Sequence, residues 1–120
     1  MKHTNTGRRE WRKVLEMQCE ICKALAHPAR LEILELLSGN SRSASELVAT
    51  LETSKANLSK HINLLVHAGI VEAKRKGRQI SYRLKHPEIH KACKIMRSIL
   101  YQHLKEDGRL AASIRLSKSG

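Results

Sequence analysis

Residues 53–65, TSKANLSKHINLL, lead through Val66-His67-Ala68 into residues 69–84, GIVEAKRKGRQISYRL, and these two stretches decide the fold. In the first, Leu58, Ile62 and Leu65 recur at helical spacing and form one apolar face. Ser54, Lys55, Ala56, Asn57, Ser59, Lys60 and Asn63 occupy the rest, giving a helix whose outer face is small, polar and basic. In the second, Val71 and Ala73 alternate with Glu72 and Lys74, and Ile80, Tyr82 and Leu84 alternate with Ser81 and Arg83, the period of a hairpin. Its tip gathers Lys74, Arg75, Lys76 and Arg78 around the permissive Gly77. A polar helix of this kind suits a DNA major groove, and a cationic hairpin beside it suits phosphate or minor-groove contact.

Working outward, Ser43 and Glu46 stand at capping-box spacing before Leu47, Val48 and Leu51, so a short helix is expected there. The chain turns after Glu52, and Thr53 or Ser54 caps the next helix, which makes a helix-turn-helix. Upstream, Pro28 suits the first position of a helix carrying Leu31, Ile33, Leu34, Leu36 and Leu37, stopped by Ser38-Gly39-Asn40. Residues 9–26 read as a helix with two apolar stripes, Trp11, Leu15, Cys19, Cys22, Ala26 and Val14, Met17, Ile21, Leu25. A last helix is expected from Pro87 to about Gly108, again apolar on more than one side through Ile89, Ala92, Cys93, Ile95, Met96, Ile99, Leu100 and Leu104. A domain this small cannot bury all of these stripes, so dimerisation through the first and last helices is expected. Residues 1–8 read as a disordered basic arm, residues 9–108 as one domain, and residues 109–120 as a flexible tail.

The charge balance supports a polyanionic partner. With 23 Lys+Arg against 11 Asp+Glu, the net charge is +12, and the pI is about 10.1. Aromatic residues make up 2%, too few for the stacking platforms of single-strand binders, so double-stranded DNA is favoured. No apolar run approaches the roughly 20 residues of a membrane span, and no signal-peptide core follows the basic start. A cytoplasmic protein with no membrane partner is expected. Three cysteines are an odd number for a disulfide framework. Cys19-Glu-Ile-Cys22 lies in mid-helix with no parallel strands around it, unlike the motif of a thiol oxidoreductase, so no enzyme is expected.

The order helix, helix, helix-turn-helix, wing, helix resembles the ArsR/SmtB family of winged-helix repressors. The likeness is carried by KALAHPARLEILELL at 23–37, SASELVATL at 43–51, SKANLSKHINLLVHAGIV at 54–71 and RKGRQISYRL at 75–84. It implies a mainly α fold with a small β-hairpin, a winged helix-turn-helix of five helices and a two-stranded wing. It further implies a homodimer that represses an operon by binding operator DNA and releases it when an inducer binds. Such inducers include metal ions, arsenite or antimonite, and oxidants or reactive sulfur, and some members have none known.

The family's sensing sites vary, so each is tested on this chain's residues. The paired thiols that some members carry before the recognition helix are replaced here by Val48 and Thr50. An acid-x-His and His-x-x-acid arrangement is present as Glu88-x-His90 and His103-x-x-Glu106. The family spacing of 11 leaves its histidines about 20° apart around a helix, whereas the spacing of 13 found here leaves them about 140° apart. This zinc-type site is the weaker candidate, with solvated histidines as the alternative. Cys19 and Cys22, at i, i+3, can face one point, and Cys93 lies on the stripe of the last helix expected to pack nearby. Three thiolates suit arsenite, antimonite or a soft divalent metal, and two suffice for a redox or reactive-sulfur switch. The alternative is that these cysteines are small apolar packing residues. A repressor with no small-molecule inducer and a protein-interaction winged helix are the rival functions.

Overall fold

The structure, a computed structural model, describes residues 5–108. Its contacts divide the chain into two units, one ending at Pro87 and one beginning at Glu88. The first unit holds α1 (Asn5–Leu25), α2 (Pro28–Leu36), β1 (Arg42–Ser43), α3 (Ala44–Leu51), α4 (Lys55–His67), β2 (Val71–Lys76) and β3 (Gln79–Leu84). The second holds α5 (Glu88–Glu106).

Local signals account for most of the boundaries. His27, in extended conformation, accepts from the Ala29 N–H through Nδ1 and caps α2, with Pro28 at its start. Ser43 and Glu46 form a reciprocal capping box at α3. At α4 the cap is Ser54, whose hydroxyl accepts from the Asn57 N–H at 3.0 Å. Between α3 and α4 only residues 52–54 remain, and Glu52 takes a left-handed φ of 51° there.

The core is aliphatic. Ile33, Leu34 and Leu37 from α2 and its cap, Leu47 from α3, and Leu58, Ile62 and Leu65 from α4 are buried with Ile70, Val71 and Leu84 at the hairpin base. Helix α1 contacts α2 and α4 and buries Leu25 near its C-terminal end. Burying one such side chain stabilises the fold by about 1.5–3 kcal/mol, so this cluster outweighs any individual cap.

Four details differ from expectation. Helix α1 begins at Asn5 and not at Arg9, so residues 5–8 of the expected arm are helical. An interior glycine such as Gly7 costs only about 1 kcal/mol, which does not break a long helix. Residues 1–4 and the expected tail, 109–120, lie outside the described residues. The expected two-stranded wing is a three-stranded antiparallel sheet, ordered β1-β3-β2, with Arg42 opposite Tyr82 and Ser43 opposite Ser81. A two-residue strand has no periodicity to read. Finally, Ala73, expected on the inner side of the hairpin, is exposed, and Ile80 and Tyr82 are half-buried, because the hairpin projects beyond the core. The last helix starts at Glu88, immediately after Pro87.

Candidate nucleic-acid interface

The capped start of α4 sets the polar face of the helix. Lys55, Ala56, Asn57, Ser59, Lys60 and Asn63 are all exposed, as is the cap Ser54, while Leu58, Ile62 and Leu65 anchor the opposite side. No acidic residue occupies the first turn of α4, so its positive dipole end and Lys55 act together on an approaching anion. Asn57 is held at two points. Its N–H is accepted by Ser54, and its side-chain Nδ2 donates to the Thr53 hydroxyl at 2.9 Å.

His61 lies on the inner side of α4, as its place beside the apolar stripe predicts, and is 7% exposed. Arg30 Nη1 stands 3.2 Å from its Nδ1, and its ring centroid is 4.5 Å from that of His27. A guanidinium only donates, so Nδ1 accepts and the neutral ring carries its proton on Nε2. Burial, then the charges of His27, Arg30 and Lys60, hold its pKa below the ordinary value of 6.5. Arg30 is itself tied down by donation from Nε to the Ala24 carbonyl at 2.6 Å. The position of His61 beside the Leu58, Ile62, Leu65 stripe is visible in the sequence, whereas its meeting with His27 and Arg30 depends on tertiary packing.

The hairpin turns tightly. Lys76 pairs with Gln79, leaving Gly77 and Arg78 as the loop, and Gly77 has φ 61°. A positive φ at the first loop position favours glycine and matches the twist of the strands. The register places Lys74 and Lys76 on one face with Glu72, Ser81 and Arg83, and Arg75 on the other with Tyr82 and Ile80. Arg83 pairs with Glu72 across the strands. Lys74, Arg75, Lys76 and Arg78 are all exposed, so positive charge covers both faces and the tip. A groove of about 220 Å³ is lined by Ser41, Lys74, Lys76, Ser81, Tyr82 and Arg83. Ser41 and Ser81, which the sequence pattern did not single out, line it as well, the Ser81 hydroxyl donating to the Lys74 carbonyl at 3.5 Å.

A model of the helix-turn-helix domain matches residues 25–73. The chain is 36% identical over 107 residues to the HTH-type transcriptional regulator Rv0081 of Mycobacterium tuberculosis, covering 87% of this chain and 92% of that protein. The crystal structure of Rv0081 matches with a TM-score of 0.71 at 35% identity, over 78% of this chain and 95% of that one. A similarity of 37% over 73 residues extends to the transcriptional repressor SmtB of M. tuberculosis, covering 61% of this chain and 54% of SmtB. The chain belongs to the ArsR/SmtB family of winged helix-turn-helix transcriptional regulators. A further structure, the homodimeric winged helix-turn-helix DNA-binding domain of Mb0332 from Mycobacterium bovis, matches with a TM-score of 0.71 at 26% identity, over 78% of this chain and 87% of that one.

As a member of a family of transcriptional regulators, the chain is not an enzyme. Cys19 and Cys22 are both exposed on α1, and Cys93 is buried on α5. Of the histidine-carboxylate set on α5, His90 is half-buried, and Glu88, His103 and Glu106 are exposed. His90 and His103 are separated by about 20 Å along the helix axis, so they do not meet on one ion within one helix. Among the described residues, no group of three or more His, Cys, Asp or Glu side chains stands together as a metal site. Among the same residues, no helix is long and apolar enough to cross a membrane.

Two apolar surfaces remain uncovered in the single chain. On α1, Val14, Leu15, Met17 and Ile21 are exposed, Met17 to 64%. On α5, Ile95, Met96, Ile99 and Leu100 are each more than half exposed. Apolar groups repeated along a helix at this exposure are characteristic of interaction surfaces.

Proposed function

We propose that this regulator is a homodimeric, sequence-specific repressor that binds double-stranded operator DNA and is released by an inducer acting through thiols. The observation that carries the DNA reading is the exposed row Ser54, Lys55, Ala56, Asn57, Ser59, Lys60 and Asn63 beside a wing bearing Lys74, Arg75, Lys76 and Arg78. In this reading Asn57 and the α4 lysines address base edges, and the wing cations grip phosphate. The uncovered faces of α1 and α5 support dimerisation, as does the homodimeric structure of the similar Mb0332 domain. Two recognition helices then meet successive major grooves about 34 Å apart.

For the signal, the exposed Cys19 and Cys22 form a pair that a thiophilic species can reach. Arsenite or antimonite exchanges each hydroxide for a thiolate, releasing water, and a soft divalent metal binds the same sulfurs. An oxidant or polysulfide accepts two electrons from a thiol pair and leaves a disulfide or sulfur bridge. Cys93 is the third candidate donor. Either event at α1 or α5 changes the dimer interface and with it the spacing of the two α4 helices. The burial of Cys93 favours a second reading, in which it is a packing residue and the protein represses without a small-molecule inducer. The set Glu88, His90, His103 and Glu106 is the lesser metal candidate.

The test is binding of the full chain to its own upstream intergenic DNA, with and without arsenite, Zn²⁺ or polysulfide. Specific binding that weakens steeply with salt is expected, with release by a thiophilic agent that is abolished in Cys19→Ser, Cys22→Ser and Cys93→Ser proteins. Salt-insensitive affinity contradicts the DNA reading, and unchanged release in all three variants contradicts the thiol reading.

A further inference from the structure

We infer that Thr53, in the turn and outside the recognition helix, is a positioning residue that fixes the Asn57 amide for reading adenine; this rests on the DNA-binding reading above. The backbone of Thr53 is anchored to the preceding helix, its N–H donating to the Val48 carbonyl at 3.3 Å. Its side chain is half-buried and β-branched, which leaves few rotamers open. The Asn57 Nδ2 donates to this fixed hydroxyl at 2.9 Å, and the Asn57 N–H donates to Ser54 Oγ at 3.0 Å.

The chemistry of the amide makes this contact useful. Asparagine reads adenine by accepting from N6 with Oδ1 and donating to N7 with the Nδ2 hydrogen on the same side as Oδ1. That pairing leaves the second Nδ2 hydrogen, which points back toward Cβ, without a role at the base. The Thr53 hydroxyl accepts a hydrogen from this group at 2.9 Å and so holds the Asn57 amide against the turn. The side chain therefore meets the base edge already oriented, with less rotamer entropy to lose on binding. The path runs from α3 through Thr53 to Asn57, so the angle between the two helices of the motif is coupled to the orientation of one base-reading group.

The experiment is selection of double-stranded oligonucleotides from a randomised pool by the full chain and by Asn57→Ala, Thr53→Val and Thr53→Ser proteins. Asn57→Ala should lose preference for one A·T pair in each half-site, by about tenfold. Thr53→Val is close in shape but lacks the acceptor, and should lose about fivefold at that same pair and at no other. Thr53→Ser, which restores the acceptor, should keep the preference. Replacing that adenine by 7-deazaadenine should weaken the parent protein and leave Asn57→Ala unaffected, a result that does not depend on the folding of any Thr53 variant. The inference is overturned if Asn57→Ala alters no base preference, if the parent protein tolerates 7-deazaadenine, or if Thr53→Val reads the pair as well as the parent. Failure of the parent chain to select any sequence instead removes the DNA-binding reading beneath it.

Discussion

His61 links the inner side of the recognition helix to α2, and its environment makes it sensitive to acid. The groups that face it are His27 and Arg30 from the α2 side and Lys60 from its own helix, and each opposes a further positive charge. Its folded pKa lies below the unfolded value near 6.5, so the unfolded chain binds the proton more readily. The stabilisation is complete above that unfolded value and is lost as pH falls from there through the folded pKa. Urea denaturation between pH 8 and pH 5 should show stability declining below about 6.5, with that part of the decline absent in His61→Gln. Glu52 provides a second test at this scale. A non-glycine residue in left-handed conformation costs about 1 kcal/mol, and among the described residues the Glu52 side chain has no hydrogen bond or ion pair to offset it. Glu52→Gly is expected to raise the midpoint of thermal unfolding by several degrees, about 4–8 °C per kcal/mol for a domain of this size. An unchanged or lower midpoint would show that the turn is not strained.

In the proposed reading the wing acts through charge, which its register distributes over two faces and a tip. Alanine at Lys76 and Arg78 together should reduce the slope of log affinity against log salt by about 0.9 for each phosphate that is no longer neutralised. Base preference should stay unchanged, because cations on phosphate carry no sequence information. A changed base preference with an unchanged slope would place these residues at base edges. The hairpin was legible in the sequence through its alternation and Gly77, and the helix-turn-helix through Ser43, Glu46 and the Leu58, Ile62, Leu65 stripe. The strand β1 was not legible, since Arg42 and Ser43 pair with β3 only because the hairpin folds back beside them. Nor was the exposure of Ala73, since alternation reports a strand's two faces but not how far the strand extends past the core.

For the whole molecule, the proposed dimerisation through the uncovered apolar surfaces ties assembly to affinity. A charge placed in either of them, as Met17→Glu or Ile99→Asp, should yield a monomer by light scattering. It should also weaken operator binding by about a hundredfold or more, because the second half-site is then no longer held at high effective concentration. Dimers that persist in both variants would leave these faces without a role in assembly. The sequence by itself determined the elements and the kind of surface they present, since hydrophobic period, capping pairs and net charge are local or additive properties. Only the tertiary structure decided the contacts of Arg30 and His27 with His61, the burial of Cys93 beside the exposure of Cys19 and Cys22, and the third strand. Those depend on which side chains distant in the chain are brought within a few ångströms, and periodicity along a single element carries no information about that.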